Sequence, residues 1–299
     1  MALPITGPQD PDLTNALHPR RVLERYGLSP HKSLGQHFLV DLHTLQAIVR
    51  AADLHGGDTV LEIGPGLGSL TRILAGEAGR VVAVELDERL ISVLHLELGE
   101  LGNVELVHGD FLKCDVGGLV GEQYAVVSNL PYYITGAIIR RLLHRPPRPW
   151  RMVLTVQEEV AQRMLAKPGD MNLLAVSVQY FGRVFRVARV KAGSFYPRPD
   201  VDSAVVRFDL RDVPAAHVPD EALFFRVVTA GFRQKRKQLR NSLQAGLDLE
   251  ASDVEALLLS VGIDPRRRAE TLSLEDWGQV TWAVATSNPG RWMSAVTSD

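Results

Sequence analysis

The chain has 299 residues, a net charge of −2 and a single cysteine, enough for one large domain and a smaller one but for no internal disulfide and no cysteine-built zinc site. No run of about eighteen apolar residues occurs, which excludes a membrane-spanning helix. Pro4, Pro8, Asp10, Pro11 and Asp12 stand where a secretory signal needs a basic and then an apolar stretch, so a loose N-terminal arm (1–30) and a cytoplasmic protein are expected. The histidines show no metal-ligand spacing, so no metal is expected.

Charge is unevenly spread. No acid lies between Glu122 and Glu158, where Arg140, Arg141, Arg145, Arg148 and Arg151 fall. None lies between Glu221 and Asp248, a stretch holding Arg226, Arg233, Lys235, Arg236, Lys237 and Arg240. Single-sign patches of this kind are the electrostatic footprint for phosphates, which net charge conceals.

In chain order, Arg20–Tyr26 reads as a short helix, and Gln36-His37-Phe38-Leu39 as a loop leading to a helix that Asp41 caps. Leu42, Leu45, Ile48, Val49 and Ala52 mark that helix's apolar face. Thr59–Ile63 is a buried strand, followed by Gly64-Pro65-Gly66-Leu67-Gly68 and a helix. Val81–Glu85 is a second strand ending in an acid, about twenty residues past the first glycine, the spacing for a carboxylate that holds ribose hydroxyls. Dinucleotide sites carry G-x-G-x-x-G. Here the spacing is G-x-G-x-G with Glu62 just before it, and a second acid suits a ligand bearing an ammonium, such as S-adenosylmethionine.

Asp87 caps the next helix, and the strand Val104–Val107 leads to Asp110, either a turn residue or an acceptor for an adenine amino group. Cys114 has no histidine near it in sequence and reads as packing or surface. The strand from Tyr124 to Val127 runs into Ser128-Asn129-Leu130-Pro131-Tyr132-Tyr133, where proline must end the ladder. An amide, main-chain carbonyls and an aromatic ring are thereby left at a strand's carboxyl end, where open α/β sheets bind ligands. The remaining strands are expected at 152–156, within 173–190 and at 204–210, with the Phe195-Tyr196-Pro197-Arg198-Pro199 loop before the last. From about residue 212 the pattern is helical, and the basic run Arg233–Arg240 is placed on the first of those helices. Arg266-Arg267-Arg268 follow in a turn after Pro265.

With these residues in hand the chain resembles the adenine-N6 rRNA dimethyltransferases, the KsgA/RsmA family. The matching stretches are Gly35–Leu39, Glu62–Gly68, Glu85-Leu86-Asp87, Asn129–Tyr132, Phe195–Pro199 with Val201-Asp202-Ser203, and Phe232 with Arg240-Asn241-Ser242-Leu243, in family order. The resemblance implies a Rossmann-like class I methyltransferase: an α/β domain with a seven-stranded, mostly parallel sheet over residues 31–211, a smaller all-helical RNA-binding domain over 212–288, and a tail from 289. It implies S-adenosylmethionine as cofactor, held by His37, Leu39, Gly64, Gly66, Glu85, Asp110 and Asn129, and a target adenine held by Asn129, Leu130, Tyr132 and Phe195. Arg233, Lys235, Arg236, Lys237 and Arg240 are expected to contact RNA. The implied reaction dimethylates two adjacent adenosines near the 3′ end of 16S rRNA in the pre-30S subunit, carried out by a monomer.

Two positions depart from the family pattern. His37 stands where many members carry Asn, and Met171-Asn172-Leu173-Leu174-Ala175 replaces the usual Tyr-Gly-x-Leu-Ser. The competing readings are an Erm-type methyltransferase of 23S rRNA, a ribosome-assembly or transcription factor that keeps only the fold, and, more distantly, a Rossmann dehydrogenase. The Phe-Tyr-Pro-Arg-Pro loop with its Val-Asp-Ser, and the stretch from Phe232 to Leu243, favour the small-subunit enzyme over the Erm type.

Overall fold

The computed structural model describes residues 18–234, 236–287 and 289–292. In chain order they form α1 (Pro19–Arg25), β1 (Phe38–Leu39), α2 (Leu42–Ala52), β2 (Thr59–Ile63), α3 (Ser69–Glu77), β3 (Arg80–Glu85), α4 (Glu88–Leu98), β4 (Val104–His108), α5 (Val116–Val120), β5 (Ala125–Asn129), α6 (Thr135–His144) and β6 (Arg151–Gln157). Then come α7 (Glu158–Met164), α8 (Leu173–Phe181), β7 (Gly182–Val190), β8 (Phe195–Tyr196), β9 (Ser203–Leu210), α9 (Glu221–Phe232), α10 (Leu239–Leu247), α11 (Ala251–Ser260) and α12 (Leu274–Ser287).

The chain divides into two units, one holding residues up to Ala161 with Phe185–Asp209, the other Gln162–Val184 and the residues from Leu210 on. The first is built on a seven-stranded sheet of order β4-β3-β2-β5-β6-β9-β7. β4, β3, β2, β5 and β6 run parallel, and β9 joins β6 antiparallel. The central strands are near-continuous runs of Val, Ile, Leu and Ala because helices cover both sheet faces, so both side-chain directions must be apolar. Chain order reverses between β2 and β5, and the crevice beyond their carboxyl ends is where such sheets take ligands.

Local sequence explains the helices that frame this crevice. Asp41 caps α2, accepting from the His43 and Thr44 N–H groups at 3.2 and 3.3 Å. The buried face of α2 sets Leu45, Ile48, Val49 and Ala52 against Val60, Val81, Val127, Val153 and Val205, each large side chain contributing about 1.5–3 kcal/mol by burial. Asp87 caps α4 by accepting from Arg89 N–H at 3.1 Å.

A second, two-stranded sheet was not expected. β1 pairs antiparallel with β8, placing Phe38 opposite Tyr196 and Leu39 opposite Phe195. Strands of two residues have no periodicity to detect, and only the partner segment creates them.

In the second unit, α8 sorts with the C-terminal helices, whereas the sequence placed the single boundary after residue 211. The cause is aromatic packing: Tyr180 stacks on Phe224 with ring centroids 4.5 Å apart, and Phe181 on Phe225 at 5.7 Å. Trp277 of α12 lies so close to α9 that a Cβ on Gly231 would sit 2.3 Å from its ring, so only glycine fits. The basic run also differs from expectation. α9 ends at Phe232, with Arg233 as its C-cap, and α10 starts only at Leu239 after Gln238 as its N-cap. The first free N–H groups of α10 find acceptors outside the run, Leu239 N–H on the Arg267 carbonyl at 2.7 Å and Arg240 N–H on the Pro265 carbonyl at 3.2 Å. The helix therefore restarts where those carbonyls lie rather than continuing through the charges.

Candidate active site

Nine of the expected site residues line one crevice in the first unit: His37, Leu39, Gly64, Gly66, Glu85, Asp110, Asn129, Leu130 and Tyr132. They come from β1, the loop after β2, and the carboxyl ends of β3, β4 and β5, which the parallel register brings level.

One wall is carboxylate and bare backbone. Gly64, Gly66 and Gly68 all take left-handed φ values, 73°, 61° and 81°. A Cβ on Gly66 would lie 2.9 Å from the Phe38 ring, so this loop needs glycine for both backbone and space. Glu85 is buried, and its two oxygens accept from Gly66 N–H at 3.1 Å and Asp87 N–H at 2.9 Å. Burial raises its carboxyl, and those N–H groups act against the rise. Beneath it Glu62 is fully enclosed with Oε2 unpartnered, and burial, reinforced by the nearby Glu85 charge, pushes its carboxyl up to about 8. Asp110 serves as a turn residue and a wall at once, since its Oδ1 accepts from Leu112 N–H at 3.0 Å while the side chain lines the crevice. Cys114 donates its thiol to the Asp110 carbonyl at 3.4 Å, and burial raises its pKa, which keeps it a thiol.

The opposite wall is built on Asn129. Its Nδ2 donates to the His37 carbonyl at 3.1 Å; a carbonyl can only accept, so this fixes which way the amide faces. Oδ1 is left buried and without a partner. Leu130 is buried behind it, its N–H on the Thr155 carbonyl at 3.3 Å. His37 Nδ1 lies 2.8 Å from the Pro197 carbonyl, so Nδ1 carries the proton and donates, and the imidazole stacks on Tyr132 with centroids 5.7 Å apart. Burial raises the Tyr132 phenol above its ordinary pKa.

Phe195 is placed elsewhere. Its ring is buried in the hydrophobic core with Leu39, Val190 and Val205 and is not part of the crevice wall. The antiparallel register of β1 and β8 sets Phe195 opposite Leu39, which reaches both the core and the crevice. Sequence reasoning assigned no role to three contributors: Phe38 as buttress of Gly66, Tyr133 as an exposed edge of the crevice, and Ser203 against Tyr132. Tyr133 directly follows one family motif and Ser203 ends another, which was their only signal.

The basic residues belong to the second unit. Arg236 and Lys237 are exposed, and Arg233, also exposed, donates to the Ala245 carbonyl at 3.2 Å. Lys235 lies outside the described residues. Arg240 is an exception, held by Glu255 at 2.7 Å. Arg266, Arg267 and Arg268 are likewise paired, with Asp264, Asp276 and Glu270 at 3.0, 3.2 and 3.8 Å. Among the described residues no helix is long and apolar enough to cross a membrane.

Comparison with known proteins agrees with this geometry. The pattern of the family described as ribosomal RNA adenine dimethylase matches residues 27–285. A ribosomal RNA small subunit methyltransferase A of Dehalococcoides mccartyi is 44% identical over 272 residues, 90% of this chain and 93% of the relative. The protein of the same description from Moorella thermoacetica is 47% identical over 267 residues, 85% of this chain and 92% of its own length. Among solved structures, a dimethyladenosine transferase from Plasmodium falciparum superposes with a TM-score of 0.69 at 26% identity, covering 82% of this chain and 96% of that one. The 23S rRNA methyltransferase ErmE gives a TM-score of 0.67 at 30% identity, covering 82% and 98%. Left-handed glycines bonded to a strand-end acid, an amide whose oxygen is left without a partner and a family match across both units agree: the chain belongs to the ribosomal RNA adenine dimethylase family.

Proposed function

We propose that the protein uses S-adenosylmethionine to place two methyl groups on N6 of each of two adjacent adenosines near the 3′ end of 16S rRNA, acting in the cytoplasm as a monomer on the pre-30S subunit. The observation that carries this reading is Asn129 Oδ1, a buried acceptor with no partner, on a residue that lines the same crevice as Glu85 and Asp110. A buried acceptor left unpaired costs about 1–3 kcal/mol, which a ligand amine recovers.

The residues fit the cofactor. Glu85, with lone pairs left beyond its two backbone partners, suits ribose hydroxyls; Asp110 suits an adenine amino group; the orphaned Glu62 Oε2 suits a cationic amino-acid end. The glycine loop leaves backbone bare for close approach. When bound, S-adenosylmethionine supplies an already activated sulfonium methyl group, so no protein nucleophile is required.

The adenine amine is a poor nucleophile because its lone pair is delocalised into the ring. Asn129 Oδ1 and the Leu130 carbonyl can each accept one N6–H, which favours a pyramidal nitrogen with a localised lone pair. As the new N–C bond forms, N6 loses one hydrogen as a proton to solvent water, and Oδ1 steadies the nitrogen through that loss. Tyr132 lies against the base, a stack worth about 1–3 kcal/mol, once the nucleotide has left its own stack. The second transfer uses the remaining N6–H, for which one acceptor suffices. With Phe195 in the core, His37 stacked on Tyr132 is the aromatic face that continues this wall. The exposed Arg233, Arg236 and Lys237 would meet RNA phosphates, and Lys235 is proposed with them on sequence alone.

Mass spectrometry of nucleosides from unmethylated 30S subunits, incubated with protein and cofactor, should show N6,N6-dimethyladenosine in 16S rRNA. Methyl groups appearing only in 23S rRNA would favour the Erm-type reading instead. In the same assay Asn129→Ala should lower transfer at least about a hundredfold, with cofactor affinity by calorimetry changed only a few-fold. Near wild-type transfer would remove Asn129 from the mechanism.

A further inference from the structure

Residues 31–37 cross the crevice as a strap between the ends of β3 and β5. Tyr133 presses on its middle, where a Cβ on Gly35 would lie 3.3 Å from the phenol ring. Gln36 is engaged at both ends of its amide: Oε1 accepts from His31 N–H at 2.7 Å and Nε2 donates to Asp87 Oδ2 at 2.8 Å. The next residue, His37, supplies the carbonyl that accepts from Asn129 Nδ2. Asp87 is itself fixed, with Arg89 donating to Oδ1 at 2.9 Å and Oδ2 at 2.6 Å, and its own N–H on Glu85. A continuous set of bonds thus runs from the acid assigned to the cofactor to the amide assigned to the base.

An asparagine amide has two near-equivalent orientations about its last torsion, and neighbours decide between them. Here the decision rests on one carbonyl. If the strap shifted, Asn129 could turn its NH₂ into the crevice, where it would face the adenine NH₂ donor to donor.

We infer that Gln36 is a positioning residue for methyl transfer: by pinning the strap to Asp87 it holds the His37 carbonyl where it keeps Asn129 Oδ1 facing the substrate amine. This rests on the role given to Asn129 above. Gln36 lines the crevice, yet both ends of its amide are committed, to His31 N–H and to Asp87, so it acts through the strap. Asp87 is well suited as an anchor, because the hydrogen bonds from Arg89 keep its carboxyl below the usual range and the bond from Gln36 is made to a charged acceptor.

The test begins with the full-length wild-type protein labelled with ¹⁵N-asparagine. The Asn129 Nδ2 protons should exchange with water measurably more slowly than an exposed asparagine amide; exchange at the exposed rate overturns the inference. Gln36→Leu should speed that exchange and lower kcat about tenfold, with KM for 30S subunits and thermal midpoint nearly unchanged. Gln36→Glu, which sets a second carboxylate against Asp87, should do the same. Gln36→Leu with exchange and kcat both within about twofold of wild type overturns the inference, as does a loss of kcat that merely follows a fall in folded fraction. Asn129→Ala separates the two layers: full activity there overturns the role of Asn129 and this inference with it. Loss there, with none in Gln36→Leu, overturns this inference alone.

Discussion

The Tyr132 hydroxyl lies 2.6 Å from Ser203 Oγ, joining residues 71 apart in sequence. Ser203 is fully buried at the start of β9, opposite Gln157 in the ladder with β6, so it is a rigid post for the phenol. Tyr132→Phe keeps the ring and removes the bond; it is expected to lower stability by about 1 kcal/mol while leaving most methyl transfer. Tyr132→Ala removes the ring and should weaken productive binding of the target base by about 1–3 kcal/mol, seen as a higher KM for 30S subunits. An equal loss in both variants would mean the bond, and not the ring, is what catalysis needs.

Gly66 carries two demands at once, a φ of 61° and contact with the Phe38 ring. Gly66→Ala should cost about 1–2 kcal/mol in backbone strain alone, read by denaturant unfolding. The side chain also displaces Phe38 from beneath the crevice, so S-adenosylmethionine affinity by calorimetry should fall more steeply than stability does. Unchanged affinity in a folded variant would place the cofactor away from this loop.

Glu62 makes stability depend on pH. Its folded-state pKa of about 8 exceeds the ordinary carboxylate value of 4.5, so between these limits the folded protein keeps a proton that the unfolded chain has released. Stability therefore falls as pH rises through that window and levels off above it. Glu62→Gln removes this dependence, and the wild-type thermal midpoint should decline relative to the variant from about pH 5 to pH 8. Glu85, also raised by burial, is present in both proteins and cancels in the difference. Parallel curves would show that Glu62 is ionised in the folded state.

The basic turn separates free from committed cations. Replacing Arg236 and Lys237 with alanine should reduce the slope of log K against log salt for 30S or rRNA binding by roughly 0.7–0.9 for each phosphate that is no longer neutralised. Arg240→Ala should leave that slope unchanged, since its charge is already taken by Glu255. A slope altered by Arg240→Ala and unmoved by the other two would reverse the assignment.

Much of the first unit was legible because its signals are local. Asp41 and Asp87 cap helices through N–H groups two or three residues away. The strand ending in Glu85 and the Pro131 that stops the strand before it needed only alternation, apolar runs and a missing N–H. The order of motifs then put glycines, acid and amide at the ends of adjacent parallel strands, which is why most of the expected site residues share one crevice.

What the sequence did not reveal has a different origin. Phe195 looked like an aromatic for the site and is a core residue, set opposite Leu39 by the pairing of β8 with β1. The partner of Arg240, Glu255 on another helix, was likewise invisible in the sequence. The helical reading of Arg233–Arg240 failed because the carbonyls that restart α10 come from Pro265 and Arg267.

The sequence alone determined most of the strands and helices, brought a glycine loop and strand-end acids to one crevice, and named the chemistry expected of Asn129. The tertiary structure decided which way those groups face. Orientation at this site depends on bonds between distant residues, Asn129 to His37 across 92 positions and His37 to Pro197 across 160. Periodicity and capping act over a few residues and carry no information on such pairs, and only closure of the sheet brings their partners within hydrogen-bonding distance.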